Sequence, residues 1–452
     1  MITENQLYIS SYTTISQNVK YGFLISIAMF FTLVAFVFNT PQEIVTGQII
    51  ILTSPANLTT DYFALSNIGA TLFNSGLMTA QAIALIRMTR AKVNGPIIAA
   101  VFTVAAFSFF GKNLYNSMPI ILGAFAYARV TKIHPEKSLL GALFGTALGP
   151  LVSEITFNIG LQLNEGIIYG YIAGFIVGFI IPPLSKHFVS FTKGFSLYNI
   201  GFTSGVIGTV FTSVLRSMGK EIEPVSILSS GNNQSLTIVF LILFSLMLVG
   251  GLYLNSGTLD GYSDLIKHSG QLSTDFLRTN GFSVTLINMA LLGYVSVSYI
   301  LFHGGEINGP TIGGILTVVG FGAFGKHLRN VLPILIGVSL MGFLNGYDMS
   351  TTDIIIAGLF GTTIAPIAGR YGTRAGILAG ALHLAVVTNT GYLHGGINLY
   401  NNGFSGGFVA ALMIPLLEAI HYHQNKRRQF QEPVDPSEEI KVYKKSIKLT
   451  KK

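Results

Sequence analysis

Residues 94–123 read NGPIIAAVFTVAAFSFFGKNLYNSMPIILG, and residues 308–337 read NGPTIGGILTVVGFGAFGKHLRNVLPILIG. At a constant offset of 214 residues, 15 of these 30 positions are identical without a gap. The same register runs backwards through Asn74 and Asn288 to Asp61 and Asp275. After a two-residue shift, LFGTALGP, ending at Pro150, matches LFGTTIAP, ending at Pro366. Later, SLYNIGFTSG from Ser196 matches NLYNNGFSGG from Asn398. A period this far above that of solenoid repeats means duplication of a whole half-protein.

Composition fixes the solvent around that duplication. Half of the 452 residues are hydrophobic and a tenth are charged, with 51 glycines and 33 phenylalanines. Apolar runs near the length needed to cross about 30 Å of hydrocarbon recur along the chain. Abundant glycine suits membrane helices, whose backbones approach closely where side chains are small. Cysteine is absent, which excludes disulfides, thiolate metal sites and cysteine nucleophiles. Tryptophan is absent too, so an interfacial belt must be built from tyrosine. The net charge is +8, of which +5 lies in residues 424–452, nine Lys/Arg against four acids. That tail reads as a cytoplasmic extension near anionic headgroups rather than a nucleic-acid arm. The first apolar run is long for a cleaved signal and lacks small residues after it.

Hydropathy predicts spans at about 21–38, 62–84, 94–111, 115–131, 138–157, 163–185 and 197–215 in the first copy. The second copy gives 235–254, 280–303, 309–325, 330–346, 352–369, 374–391 and 398–420. Seven is odd, so a second copy would enter the membrane upside down. Basic clusters test this, because short cytoplasmic loops collect Lys and Arg. They follow even spans in the first copy (Arg87, Arg129, Lys186) and odd spans in the second (Lys267, Lys326, Arg370, Lys426). With both termini inside, 24 of 27 Lys/Arg fall on the cytoplasmic side, leaving Lys112, Arg216 and Lys220 outside. The expected fold is therefore all-α, a polytopic transmembrane bundle of about 14 spans as two inverted seven-span repeats with broken helices. Its parts are a cytoplasmic N-terminus (1–20), a first repeat (21–219), a linker (220–234), a second repeat (235–423) and the basic tail (424–452).

Inverted duplication is characteristic of secondary transporters, with sites near the midplane between repeats. Candidate solute ligands follow from the repeated motifs. Asn94 and Pro96, with Asn308 and Pro310, open span three as a cap and a first-turn proline. A helix beginning part-way into the membrane would offer its N–H groups to an anion or carbonyl there; an interfacial cap is the plainer reading. Gly145, Thr146 and Pro150, with Gly361, Thr362 and Pro366, interrupt span five and would leave carbonyls free to coordinate solute. Tyr198 and Asn199, with Tyr400 and Asn401, open span seven and carry hydroxyl and amide groups. Lys112 and Lys326 end span three, where lysine ordinarily snorkels; their repetition with Asn116/Asn330 and Pro119/Pro333 reads as a structural turn into span four, with a charge or coupling role as the alternative. Glu154 follows the first span-five break where Arg370 stands in the second. A membrane-buried acid there would be a proton or cation site.

Other signals point away from chemistry. Asn67, Asn74 and Asn288 read as interhelical hydrogen bonds, and His383 as a core histidine. Glu418, His421 and His423 read as a solvated span end. Gly403-x-Ser405-x-Gly407 matches a nucleophile elbow, but a membrane helix is the wrong context. No nucleotide or metalloprotease motif is present. An enzyme is not expected, nor is a metal or cofactor. The expected partners are membrane lipids and a small solute, with self-association left open and no nucleic acid.

The NGP…FGK…LP and LYNxGF segments resemble a family of bacterial integral membrane proteins, from low-G+C Gram-positive species, labelled only as a domain of unknown function. The resemblance covers nearly all of the chain except the basic tail and implies a bacterial plasma membrane. The duplicated motifs are also similar to those of urea transporters, inverted duplications with an Asn-Pro and an aromatic-Asn-Gly segment in each half. This chain has Asn94-Gly95-Pro96 for the first, and a residue intervenes before Gly201 and Gly403 in the second. The expected function is permeation of a small neutral or anionic solute. The alternative is a membrane protein that transports nothing, a lipid-modifying enzyme or an assembly partner.

Overall fold

The computed structural model describes residues 15–220, 222 and 226–431, with side chains as far as His423. Residues up to Ala411 form one compact unit; from Leu412 the described chain is the remainder of the last helix. The expected N-terminal segment lies mostly, and the basic tail largely, outside the described residues. The described residues are helical, with two isolated β-bridges. In the first copy the helices are α1 (Gln17–Phe38), α2 (Pro41–Thr53), α3 (Tyr62–Leu65), α4 (Ile68–Met88), α5 (Gly95–Phe107) and α6 (Leu114–Val130). Then come α7 (Glu136–Gly145), α8 (Gly149–Phe157), α9 (Leu163–Thr192) and α10 (Asn199–Ser217). The second copy holds α11 (Asn233–Leu254), α12 (Tyr262–Leu265), α13 (Phe276–Thr279), α14 (Phe282–Phe302), α15 (Gly309–Phe321) and α16 (Leu328–Leu344). It ends with α17 (Thr352–Gly361), α18 (Ala365–Tyr371), α19 (Thr373–Val387) and α20 (Asn401–Gln431).

Every expected span is helical, and eight helices, two of them the broken span-five pairs, are long and apolar enough to cross a membrane. This is a multi-pass membrane protein. The spans are not equal, however. The third span was expected to be nearly full length, and instead α5 and α15 have 13 residues each. At 1.5 Å per residue that is about 20 Å, short of a 30 Å crossing. The chain turns early because Gly111 and Gly325 adopt left-handed backbone, φ +67° and +101°. Side chains from other helices then take the freed carbonyls. Asn74 Nδ2 donates to the Ser108 and Lys112 carbonyls at 2.7 and 3.0 Å. Asn288 Nδ2 does the same for Gly322 and Lys326 at 2.8 Å each. These asparagines are interhelical hydrogen bonds, as their sequence positions suggest.

α5 and α15 pack on one another antiparallel at the centre of the bundle. A Cβ on Gly95, at the start of α5, would lie 2.6 Å from the Ala323 carbonyl just past the end of α15. A Cβ on Gly309, at the start of α15, would lie 2.5 Å from the Phe109 carbonyl just past the end of α5. Each start is also bonded by an aspartate from the other copy. Asp275 accepts from the Gly95 amide at 3.2 Å, and buried Asp61 accepts from the Gly309 amide.

Around this pair, α6 packs on α9 and α16 on α19. The contact is backbone on backbone. A Cβ on Gly178 would fall onto the Ile120 carbonyl, and one on Gly380 onto the Ile334 carbonyl. Gly178→Leu and Gly380→Leu should therefore each lower stability in thermal unfolding of the purified protein by about 1–3 kcal/mol or more, the cost of overpacking. An unchanged midpoint would show that these helix pairs slide freely.

Short helices also form between the expected spans, α2 (Pro41–Thr53), α12 and α13 among them. Thr40 and Glu43 form a reciprocal capping box at the start of α2, with Glu43 Oε2 accepting from the Thr40 amide at 2.8 Å.

Candidate functional site

Six rings meet where α5, α15, the span-five breaks and the starts of α10 and α20 converge. Tyr198 and Tyr400 lie with centroids 5.0 Å apart. Tyr198 contacts Phe321 and Tyr400 contacts Phe107, each at 4.6 Å. Phe360 lies 6.5 Å from Tyr198, and Phe144 lies 6.5 Å from Tyr400. Phe107–Phe360 and Phe144–Phe321 close the cluster at 5.9 and 5.8 Å. Matching residues of the two copies thus make matching contacts. All six rings are buried. The four phenylalanines were not among the expected site residues, although each is repeated in register within a quoted motif.

The span-five breaks place these rings without exposing carbonyls to solute. Each break is a single 3₁₀ turn, Thr146–Leu148 and Thr362–Ile364. The Ala147 carbonyl accepts from the Leu399 amide at 3.1 Å, and the Thr363 carbonyl from the Leu197 amide at 2.9 Å. The freed acceptors therefore hold the strap that precedes span seven of the other copy. Gly145, Thr146, Pro150, Gly361, Thr362 and Pro366 are buried and line neither of the two cavities described below. Thr146 and Thr362 donate to the Leu143 and Leu359 carbonyls, each at 2.6 Å.

The lysines after span three turn inward instead of snorkelling: Lys112 and Lys326 are both fully buried. Lys112 Nζ lies 5.4 Å from the Phe107 centroid and Lys326 Nζ 5.3 Å from that of Phe321, equivalent positions. Their partners differ. Lys326 Nζ donates to the Tyr198 hydroxyl and, at 2.7 Å, to Thr362 Oγ1. Lys112 Nζ has no hydrogen-bond partner. Tyr400, the counterpart of Tyr198, instead donates to Thr103 Oγ1 at 3.2 Å. Lys326, Tyr198 and Thr362 thus form a hydrogen-bonded triad, whereas the repeat-equivalent Lys112, Tyr400 and Thr146 share no hydrogen bond.

A cavity of about 540 Å³ ends on this cluster. Its floor is Tyr198, Tyr400, Phe144 and Phe321, and Pro96 and Asn199 stand in its wall. Asn199 donates from Nδ2 to the Ser185 carbonyl at 2.7 Å. A second cavity, about 660 Å³, sits beside the start of α17, near Leu58 and Asn401, and reaches none of the six rings. The first adjoins the N-terminus of α5 through Pro96. The second adjoins that of α15, because its neighbour Thr352 accepts from Asn308 Nδ2 at 2.7 Å. The two cavities thus lie at opposite ends of an antiparallel pair.

Their walls correspond through the repeat offsets. Ile133, Lys137 and Leu140 line the first where Tyr347, Asp353 and Ile356 line the second. Lys186 and Asn199 correspond likewise to Thr388 and Asn401. Asn401 Oδ1 accepts from Thr390 Oγ1 at 3.1 Å.

The remaining expected residues fall elsewhere. Asn94 is exposed and caps α5 by accepting from the Ile97 amide at 2.9 Å, whereas Asn308 and Pro310 are buried. Arg370 is exposed at the end of α18. Glu154 is fully buried; Asn158 donates to its Oε2 at 2.6 Å, and Oε1 is without a partner. It lines neither cavity. His383 is a buried core residue, bonded through Nε2 to Asn402 Oδ1 at 3.0 Å.

No curated protein and no solved structure matches the chain. A family described as "Protein of unknown function (DUF1576)" matches residues 40–217 and 254–419, most of the chain and both copies. The chain, itself a multi-pass membrane protein, belongs to the DUF1576 family.

Proposed function

We propose that this protein is a transporter of a small neutral or anionic solute, built from inverted repeats that expose one central site alternately to each side of the membrane. The observation that carries the reading is the pair of cavities. They are lined by repeat-equivalent residues at opposite ends of α5 and α15, and only one reaches the aromatic cluster. That is one state of a two-state device, in which the second cavity deepens as the first closes. The triads supply the two resting positions. In this state Lys326 holds Tyr198 and Thr362, and Lys112 waits. In the other, Lys112 takes Tyr400 and Thr146 while Lys326 lets go. By the distribution of Lys and Arg, the open cavity faces the cytoplasm, where both termini lie. A bacterial plasma membrane fits the basic tail near anionic lipid. Glu154, buried with one carboxylate oxygen unpartnered, would be a place for proton coupling.

A lipid-modifying enzyme would pair acid with base or gather metal ligands at one leaflet; the first cavity is lined by no acid, the second by no base, and no cluster of three metal-capable side chains occurs among the described residues. The test uses the absence of cysteine. Single cysteines at Leu140 and Ile356 should react with an impermeant thiol reagent in sealed vesicles, each from its own face only. Reaction of both from one face, or of neither while loop cysteines react, would defeat the proposal.

A further inference from the structure

The two mouths differ in one respect that the repeat does not impose. The cavity that reaches the rings carries Lys137 and Lys186 at its rim and no acid along its wall. Its counterpart has Asp353 in the place of Lys137, Thr388 in the place of Lys186, adds Asp348, and has no basic residue. Between them sit Lys112 and Lys326, fully buried, and neither forms an ion pair with an acid among the described residues. Lys112 Nζ has no hydrogen-bond partner, and Lys326 Nζ meets hydroxyls alone. Behind the rim, the wall is aromatic and aliphatic, with Phe144, Phe321 and Phe324, and the floor offers the tyrosines.

Resting on the transport reading above, we infer that the solute is a small carboxylate with an apolar body, bound more tightly from the basic mouth than from the acidic one. The rim lysines gather the anion and pair with its carboxylate, and the rings take its apolar body. A cation would meet two rim lysines, and a neutral solute would gain nothing from them. The acidic second mouth lowers affinity for an anion there.

The chain has no tryptophan, so Leu272→Trp, at the cavity wall, places a single fluorophore there. In detergent-solubilised full-length protein, benzoate and hexanoate should change its emission saturably. Benzamide should bind at least about tenfold more weakly, and benzylamine not at all. Lys137→Asp with Lys186→Thr, which gives the first mouth the residues of the second, should weaken benzoate by about tenfold or more and leave benzamide unchanged. Retained benzamide binding shows that this variant is folded. Equal affinity for benzoate and benzamide, preference for benzylamine, or no saturable response to any of the three would overturn the inference. Alternate accessibility of Leu140→Cys and Ile356→Cys is read without a ligand, so it stands or falls separately.

Discussion

Lys112→Met should leave the protein as stable as the parent or more so, and abolish its flux, whereas Lys326→Met should lower both. The two residues match in sequence, depth and distance to an equivalent phenylalanine. Their difference is hydrogen bonding. Lys112 Nζ is buried without a partner, so replacing it with an apolar chain of similar length removes a desolvated polar group at no lost bond. Unfolding in denaturant should show a gain of about 0–3 kcal/mol. Lys326 donates to two hydroxyls, and its loss strands them. The expected cost is about 1–3 kcal/mol. Both variants should stop transport, because each state of the cycle uses one triad. Equal stability losses at both positions would mean that the triads are alike in the resting protein.

The largest stability effect is expected at Asp61. Its carboxylate is fully buried and accepts from the amides of Phe63 at 2.9 Å, Ser229 at 3.0 Å and Gly309, and from the Ser229 hydroxyl. It ties together α3, the segment joining the two copies and the first turn of α15. Asp61→Ala strands several buried donors and should cost about 3–5 kcal/mol, at about 1–3 for each unsatisfied group. Asp275 is half-buried and accepts from the Gly95 and Leu277 amides at 3.2 and 3.1 Å. Asp275→Ala should cost about 1–3 kcal/mol. The ranking is the test: Asp275→Ala matching or exceeding Asp61→Ala would contradict it.

How much of this was legible in the sequence follows from what each feature depends on. Spans are set by local apolar length, so their positions were readable to within a few residues at most ends. The shortness of α5 and α15 was not, because the run through Phe109 and Phe110 stays apolar past the helix end. The early turn at Gly111 and Gly325 is held by carbonyl capture from Asn74 and Asn288, contacts between distant residues. The span-five breaks were readable from Gly, Thr and Pro, but the destination of their carbonyls was not, since Leu197 and Leu399 arrive from the other copy. Tyr198, Tyr400 and Asn199 were placed at the site by motif alone. Phe107, Phe144, Phe321 and Phe360 were passed over as ordinary membrane apolar residues, although repetition in register singles them out. The burial of Lys112 and Lys326 was hidden because a lysine after an apolar run looks the same whether it snorkels or turns inward. For α2 the signal was present: Thr40 and Glu43 have capping-box spacing ahead of an apolar run.

The central claim is that the two mouths open in turn, governed by the triads. Pulsed electron paramagnetic resonance on spin labels at Ile133 and Val189, across the first mouth, and at Tyr347 and Gly391, across the second, measures it in the cysteine-free chain. Two distances at each mouth should appear, with opposite weights. Lys326→Met should shift the first mouth towards closed and the second towards open, and Lys112→Met should do the reverse. A single unchanging distance at both mouths, or movement of both in the same sense, would contradict the account.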